Sequence, residues 1–147
     1  MLDVKIVCMD EKYMPTYAND TDACMDLKVR CGKTDKLISP GTTQKLGTGV
    51  KVSVPEGYVM LVFPRSSTGF KLKCRLANST GVIDSGYRDE IKLEIHNFGD
   101  YTVTLEDGQR VAQFMIIPRP KLNLIEVKDD DNFRKGDRGG GIGSTGK

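Results

Sequence analysis

Short stretches in which apolar and polar residues alternate recur along this chain and limit the folds that it can adopt. Valines at positions 50, 52 and 54 alternate with Lys51 and Ser53, and residues 91–95 and 101–105 repeat the pattern. Such alternation gives a β-strand one buried face and one exposed face. An opening segment at residues 4–9 and apolar runs at residues 58–63 and 111–117 add three further predicted strands.

Turn-forming residues separate the predicted strands at short intervals. We expect turns at Ser39-Pro40-Gly41, Pro55-Glu56-Gly57, Asp84-Ser85-Gly86, Phe98-Gly99-Asp100 and Glu106-Asp107-Gly108. Many short strands with this spacing are typical of an all-β sandwich or barrel. One short helix is predicted after Ser66 and Ser67, which are suited to capping it.

Length and charge bound the organisation of the chain and its partners. With 147 residues it is expected to form about one domain, and its net charge of +2 gives no footprint for nucleic acid or a membrane surface. The longest apolar run holds six residues, too few to span a membrane, and no signal peptide is recognised. We therefore expect a cytoplasmic protein, in the host cytoplasm if it is viral.

Four cysteines and one histidine limit the metal-binding and catalytic options. Cys8, Cys24, Cys31 and Cys74 form no C-x-x-C pair, and His96 is the only histidine. This spacing indicates neither a zinc site nor a disulfide framework. Reduced and mostly buried thiols are expected instead.

Residues 134–147 differ in composition from the rest of the chain. They hold six glycines and almost no apolar side chain, so burial does not offset the entropy of ordering them. We predict a β domain over residues 1–133 and a mobile, glycine-rich arm over residues 134–147. The last seven residues fit G-x-x-x-x-G-K, but the strand and helix that a P-loop requires are not predicted around them.

Two further segments carry residues suited to binding or catalysis. Arg65, Ser66 and Ser67 follow a predicted strand and offer several donors to phosphate oxygens, although a solvated arginine at a helix start is the commoner meaning. Asp84 lies at a tight turn and Tyr87 follows three residues later. A simple hairpin with an Asx-turn is the plainer explanation of this second segment.

Taken together and in order, these segments resemble the five motifs of the homotrimeric dUTPase family. The family patterns A-G-x-D-L, P-R-S-G, G-x-I-D-x-x-Y-R-G, G-D-R-x-A-Q and R-G-x-G-G-F-G-S-T-G are similar, in that order, to residues 23–27, 64–67, 81–89, 108–113 and 138–146. The resemblance implies an all-β, distorted jelly-roll or β-clip type barrel. It also implies hydrolysis of dUTP to dUMP and pyrophosphate, which keeps uracil out of DNA and supplies dUMP for dTMP synthesis.

The resemblance further implies roles for individual residues at the phosphate end of the substrate. Asp84 would be the general base that prepares a water for attack on the α-phosphorus, with Mg²⁺ carried by the phosphate oxygens. Asp26 would act near the metal through water. The triphosphate would be bound by Arg65, Ser66, Ser67 and Gln113 and, from the tail, by Arg138, Ser144 and Thr145.

At the nucleoside end, the resemblance implies that uracil is bound by backbone groups near Val82, Ile83 and Lys92, with help from Asn78. Tyr87 would pack under the deoxyribose and reject a 2′-hydroxyl by steric clash. Members of the family are homotrimers whose active sites combine residues of neighbouring subunits, so the expected partners are dUTP, its products and two further copies of the chain.

Three positions depart from the family patterns. Cys24 and Asp89 stand where the family has glycine, so the backbone there must accept a side chain. Ile142 replaces the phenylalanine that stacks on uracil, a loss of about 1 kcal/mol on the scale of aromatic pairs.

Two other functions remain open. A stretch around Glu94 resembles the catalytic segment of dCTP deaminases, but Phe70 stands where that family has a second arginine, and a solvent-facing strand residue is the simpler interpretation of Glu94. A regulatory or binding protein on a dUTPase-like scaffold is the other alternative. The presence of Asp84, Arg65 and Gln113 argues against it.

Overall fold

The computed structural model describes residues 1–137 and 139, and the regular structure in this part of the chain is nearly all β-strand. The strands are β1 Lys5–Cys8, β2 Met25–Lys28, β3 Lys36–Ile38, β4 Thr43–Gly47, β5 Val50–Ser53, β6 Tyr58–Pro64, β7 Cys74–Leu76, β8 Gly81–Ile83, β9 Lys92–Asn97, β10 Val103–Leu105 and β11 Arg110–Pro118. A 3₁₀ turn spans Glu11–Tyr13, and the helix α1 spans Ser66–Phe70. The predicted all-β architecture with one short helix is confirmed.

The strands pair antiparallel in four sheets. The largest has the order β2-β11-β6-β8, a second has the order β4-β9-β7, and β1 with β5 and β3 with β10 form two-stranded ribbons. The outer strands β2 and β8 of the largest sheet do not pair with each other. Among residues 1–137 and 139 the sheets therefore do not close into the barrel that was expected.

Alternation in the sequence corresponds to alternation in burial. Along β9, Leu93 and Ile95 are buried while Lys92 and Glu94 are exposed, as the period of two predicts. Val50 and Val52 point into the core from β5 in the same way. Of the strands that the pattern did not identify, β3, β7 and β8 are only three residues long, too short for a period to be recognised. β2 and β4, with four and five residues, were not identified either.

Tight turns lie where the turn residues predict them. The Tyr58 amide donates to the Pro55 carbonyl over 3.2 Å, and the Gln109 amide donates to the Glu106 carbonyl over 3.1 Å. Gly57 and Gly108 complete these turns at φ values of 81° and 83°, which a side chain would disfavour.

The helix α1 begins differently from the prediction. Arg65 is its N-cap and makes no side-chain capping bond, so Ser66 and Ser67 lie in the first turn and do not cap it. The helix is instead attached to the sheet by Thr68, whose buried hydroxyl donates to the Val111 carbonyl of β11 over 2.7 Å. This contact fixes the chain that follows Arg65 against the end of the large sheet.

The segment around Asp84 also differs from the hairpin expected there. β8 pairs with β6 in the large sheet, whereas β9, which follows it, pairs with β4 and β7 in the second sheet. The two arms therefore belong to different sheets, and residues 84–91 connect the sheets. A turn is present at Asp84, because the Tyr87 amide donates to the Asp84 carbonyl over 3.1 Å.

The four thiols differ in burial. Cys31 and Cys74 are buried, Cys8 and Cys24 are partly buried, and all four are free. No helix in the described part of the chain has the length and apolar character needed to cross a membrane.

Candidate functional site

A buried carboxylate bound by two arginines lies at one end of the large sheet. Asp26 on β2 is 5% exposed, and its two oxygens accept from Arg65 Nε at 2.7 Å and from Arg110 Nη1 at 3.2 Å. Arg65 comes directly after β6 and Arg110 begins β11, so three separate segments meet here. Two cations against one anion leave this corner with an excess positive charge.

The register of the sheet adds Gln113 to the same corner. On β11, Gln113 lies opposite Asp26 of β2 on one side and opposite Phe63 of β6 on the other. Its side-chain amide donates to the Pro64 carbonyl over 3.2 Å. The glutamine is therefore held beside the backbone that leads into Arg65.

These groups adjoin a cationic concavity of about 430 Å³, which we call the basic pocket. It is lined by Lys28, Arg65, Ser67, Lys71, Leu72, Gly108, Gln109 and Arg110. Four of the lining side chains are cationic and none is acidic, so the pocket attracts anions. Guanidinium and hydroxyl donors together are suited to phosphate oxygens.

Asp107 fixes one wall of the basic pocket. Its carboxylate accepts from Lys12 Nζ, from the Tyr13 hydroxyl at 2.8 Å, and from the amides of Cys31 and Gly32 at 2.7 and 3.2 Å. Burial acts to raise the pKa of Asp107, but these donors, led by Lys12 and Tyr13, outweigh it and hold the pKa at about 2. The turn that supplies the lining residues after Asp107 is thus attached to two other segments, residues 12–13 and residues 31–32.

Asp84 and Tyr87 lie in the connection between the two sheets. Asp84 is exposed, and the half-buried Tyr87 donates from its hydroxyl to the Glu90 carbonyl over 2.9 Å. Tyr87 is therefore held at both ends of the connection, its backbone through the amide to Asp84 and its ring through the hydroxyl to Glu90.

The residues expected to contact the base are divided between two sheets. Val82 is 61% exposed and Ile83 is half-buried on the edge strand β8, and the exposed Asn78 lies shortly before that strand. Lys92 begins β9 in the second sheet, opposite Gly47. Arg138, Ile142, Ser144 and Thr145 lie outside the described residues.

The residues beside the basic pocket and the turn at Asp84 are far apart within one chain. Gly81, Val82 and Ile83 lie opposite Val62, Leu61 and Met60, so the register carries Asp84 toward Val59. Arg65 lies at the other end of β6, and at about 3.3 Å per residue the separation is about 20 Å. The structure brings Asp26, Arg65, Ser67 and Gln113 together but does not bring Asp84 to them in one copy.

The side chains near the basic pocket indicate how a metal ion could be held there. Among residues 1–137 and 139 no group of three or more His, Cys, Asp or Glu side chains is arranged to hold a metal ion. The buried Asp26 already binds two arginines. This arrangement fits Mg²⁺ that reaches the site on phosphate oxygens and keeps most of its waters, which is its usual mode with nucleotides.

Sequence reasoning assigned no role to three cations of the basic pocket. Arg110 lies inside the fourth motif, and its position at the start of a predicted buried strand is the signal that points to it. Lys28 follows Asp26 at the spacing that puts both on one strand face. Lys71 offered no signal, because only the turn after α1 brings it to the pocket.

The backbone accommodates the two departures from glycine. Neither Cys24 nor Asp89 has a positive φ; among non-glycine residues of the described chain only Lys73 and Ser79 do. A side chain at either position therefore carries no left-handed strain.

An all-β fold with a cationic pocket at the end of its large sheet fits the class of proteins that bind polyanionic ligands. Comparison with known proteins narrows this class. The dUTPase family model matches residues 10–146. A deoxyuridine 5'-triphosphate nucleotidohydrolase of Clostridium tetani is 38% identical over 146 residues, which cover 99% of this chain and 97% of that protein. The chain belongs to the dUTPase family.

Solved structures agree with this assignment. The dUTPase of Streptococcus mutans is 32% identical with a TM-score of 0.72, over 82% of this chain and 98% of that one. A dUTPase variant of Staphylococcus bacteriophage 80alpha reaches a TM-score of 0.83 at 24% identity, over 99% of this chain and 100% of that one. The second likeness concerns the fold alone, and together they confirm the predicted jelly-roll type.

Proposed function

We propose that this protein hydrolyses dUTP to dUMP and pyrophosphate with the help of Mg²⁺. The observation that carries the proposal is the group of Asp26, Arg65 and Gln113 beside the basic pocket, in a chain that belongs to the dUTPase family along nearly its whole length. The product dUMP would serve dTMP synthesis, and removal of dUTP would keep uracil out of DNA.

The basic pocket would bind the triphosphate. Arg65 is oriented by Asp26, and Ser66, Ser67 and Gln113 would add donors around it. The ion pairs with Asp26 limit the side-chain freedom of Arg65 and Arg110, so less entropy is lost when the anion binds. In the tail, Arg138, Ser144 and Thr145 would complete the enclosure.

Asp84 would act as the general base. A carboxylate can orient a water and accept its proton while the oxygen attacks the α-phosphorus and pyrophosphate leaves. Mg²⁺ on the phosphate oxygens would neutralise part of their charge, with Asp26 near it through water. The exposure of Asp84 in the single copy leaves its carboxylate accessible to such a water.

The nucleoside would lie against the connection between the sheets. Val82, Ile83 and Lys92 would present backbone groups to uracil, assisted by Asn78. Tyr87, held through both its amide and its hydroxyl, would support the deoxyribose and exclude a 2′-hydroxyl. Ile142 would replace the usual aromatic cover of the base.

We further propose a homotrimer with active sites shared between copies. A water held by Asp84 and a phosphate held by Arg65 must lie within one triphosphate of each other, yet the two residues are about 20 Å apart along β6. Two neighbouring copies can supply the two halves, whereas one copy does not. This distance supports a site formed between subunits.

The chain after β11 supports assembly as well. Leu122, Leu124, Ile125 and Val127 are 60–89% exposed in the single copy. Four large apolar side chains within six residues form a surface that monomeric proteins seldom leave in water. Burial against another copy would remove this surface from solvent.

Turnover of four nucleotides tests the proposal. With Mg²⁺, dUTP should give dUMP and pyrophosphate, while dTTP, dCTP and UTP should react far more slowly. Ammonia from dCTP would instead favour the deaminase, whose candidate residue Glu94 is exposed on β9. Tight binding of dUTP without turnover would favour a regulatory protein on this scaffold.

A further inference from the structure

We propose that the ion pair between Arg30 and Glu90 is a positioning device that sets the Tyr87 ring and thereby the selectivity for deoxyribose over ribose. The inference rests on the proposed function, because it takes Tyr87 as the residue against which the sugar packs. Neither Arg30 nor Glu90 lines the basic pocket. Their effect on the substrate would be transmitted entirely through Tyr87.

The Glu90 carboxylate is held by three donors. Arg30 donates from Nε over 3.0 Å and from Nη2 over 2.9 Å, and the Gly49 amide donates over 2.8 Å. The two parallel bonds from one guanidinium give the pair a defined orientation as well as energy. The Glu90 side chain is only 12% exposed, so water competes little for these bonds.

Electrostatics keep this carboxylate ionised. The hydrogen bonds from Arg30 hold the pKa of Glu90 below its usual value; burial opposes this and the Gly49 amide reinforces it. The attachment therefore persists throughout the neutral pH range. It differs from an exposed surface pair, which contributes little because water screens it and the side chains must be ordered.

The attachment extends from Glu90 to Tyr87. The Glu90 carbonyl accepts from the Tyr87 hydroxyl over 2.9 Å, so the residue that Arg30 fixes is the one that holds the far end of the ring. The Tyr87 amide donates to the Asp84 carbonyl over 3.1 Å, which links the backbone of Tyr87 to that of the proposed base. A displaced Glu90 would thus displace the ring, and through it the turn at Asp84.

The opposite end of the ion pair is held by the second sheet, through Gly47 of β4, and by the ribbon of β1 and β5, through Val50. The Arg30 amide donates to the Gly47 carbonyl over 2.8 Å, and the Ile91 amide donates to the Val50 carbonyl over 2.9 Å. A Cβ atom on Gly47 would overlap the Glu90 carboxylate. The ion pair is therefore packed directly against β4 with no space for a side chain there.

The selectivity for deoxyribose over ribose would depend on how closely the Tyr87 ring approaches the sugar. Rejecting a 2′-hydroxyl requires the ring to leave space for a hydrogen and no more, so a small displacement admits the ribose. Loss of the ion pair should therefore reduce the ratio of kcat/KM for dUTP to kcat/KM for UTP. A role in folding alone would change the amount of active protein and leave that ratio unchanged.

The test compares this ratio among four proteins. Arg30→Ala should lower it by about tenfold, the scale of one lost steric contact, and Arg30→Lys should fall in between because it keeps the charge without the paired bonds. Arg75→Ala is the matched control, since Arg75 is exposed on β7 and makes no ion pair within residues 1–137 and 139. An unchanged ratio in Arg30→Ala would overturn the proposal.

A double-mutant cycle tests the connection itself. Tyr87→Phe removes the hydroxyl that binds the Glu90 carbonyl, and it should lower the ratio in the same direction as Arg30→Ala. Because both changes break one chain of contacts, the double variant should be no worse than about the poorer single variant. Fully additive losses would mean that Arg30 does not act through the hydroxyl.

Hydrogen exchange separates this inference from the proposed function. The Tyr87 amide should exchange about tenfold faster in Arg30→Ala than in the wild type and should be unaffected in Arg75→Ala, with or without nucleotide. If the wild type failed to hydrolyse dUTP, the proposed function would fail while exchange still tested the attachment. Equal exchange in all three proteins would refute the inference even in a fully active enzyme.

Discussion

Three aspartates of this molecule have different roles because their surroundings differ. Asp26 and Asp107 are both surrounded by donors, but Asp26 orients the side chains of the proposed phosphate site, whereas Asp107 holds backbone segments together. Asp84 differs from both because it is exposed at a turn. An exposed carboxylate is available to a water, and a fully hydrogen-bonded one is not.

We expect Asp84→Asn to abolish turnover while leaving dUTP binding within about tenfold, since the amide keeps the shape but loses the base. Single-turnover kinetics and a binding isotherm measure the two quantities. Asp100→Asn, an exposed change in another loop, should retain full activity. Equal losses of binding and rate would argue against a base at position 84.

Asp107 should contribute to stability in a pH-dependent way. Its pKa of about 2 in the folded state lies below the ordinary 3.8. Its contribution is therefore complete above about pH 4 and is lost as the pH falls through 2. The shift corresponds to about 2 kcal/mol.

Asp107→Asn should therefore lower the free energy of unfolding at pH 7 and flatten its decline between about pH 4 and 2. Urea unfolding at several pH values measures this. Asp20→Asn, at an exposed turn, provides the matched control. A parallel decline in wild type and Asp107→Asn would show that the carboxylate does not supply the acid dependence.

At the scale of elements, β9 shows why alternation predicts a strand so directly. It is the middle strand of the second sheet, between β4 and β7, and only one of its faces meets the core. Ile95 is fully buried and Glu94, its neighbour, is exposed. Two neighbouring residues of one strand should therefore contribute very differently to stability.

Ile95→Ala should lower the free energy of unfolding by about 2–5 kcal/mol, because it removes buried methyl groups and leaves a cavity. Glu94→Ala should change it by less than about 0.5 kcal/mol, since the side chain faces solvent. Denaturant unfolding of both variants gives the comparison. A large effect at Glu94 would show that its side chain meets something more than water.

At the scale of the whole molecule, the separation between Asp84 and Arg65 leads to a testable prediction about assembly. Arg65→Ala and Asp84→Asn should each be inactive alone. In mixed trimers purified by two different tags, about one site in three should combine an intact Asp84 with an intact Arg65 from another copy. Activity should therefore reappear on mixing.

The matched control for this mixing pairs Arg65→Ala with Gln113→Ala. Both residues belong to one corner of one chain, so no mixed site contains both intact residues. These trimers should stay at the level of the single variants. Recovery here, or its absence in the first mixture, would contradict sites shared as proposed.

The proposed arm over residues 134–147 should affect activity and not the stability of the whole molecule. Removal of residues 138–147 should leave the melting temperature unchanged, because the core residues of the described chain all precede Pro118. It should strongly reduce kcat/KM for dUTP, since Arg138, Ser144 and Thr145 are proposed to enclose the triphosphate. Removal of Lys147 alone is the control, and full activity of the longer deletion would show that the arm is dispensable.

Local patterns identified several of the strands and the family. Alternation identified strands such as β5 and β9 because burial on one face of a strand repeats every second residue. Ordered motifs identified the family and selected Asp26, Arg65 and Gln113, which the fold brings together. These features depend on residues close together in the chain, so a sequence carries them directly.

Contacts between distant residues were decided only by the tertiary structure. Arg30 and Glu90 are 60 residues apart, and nothing in either segment indicates that they pair. The hairpin expected at Asp84 is not formed, because the strands on either side of the turn pair in two different sheets. The sequence determined which groups are present, and long-range packing determined which of them one copy can bring together.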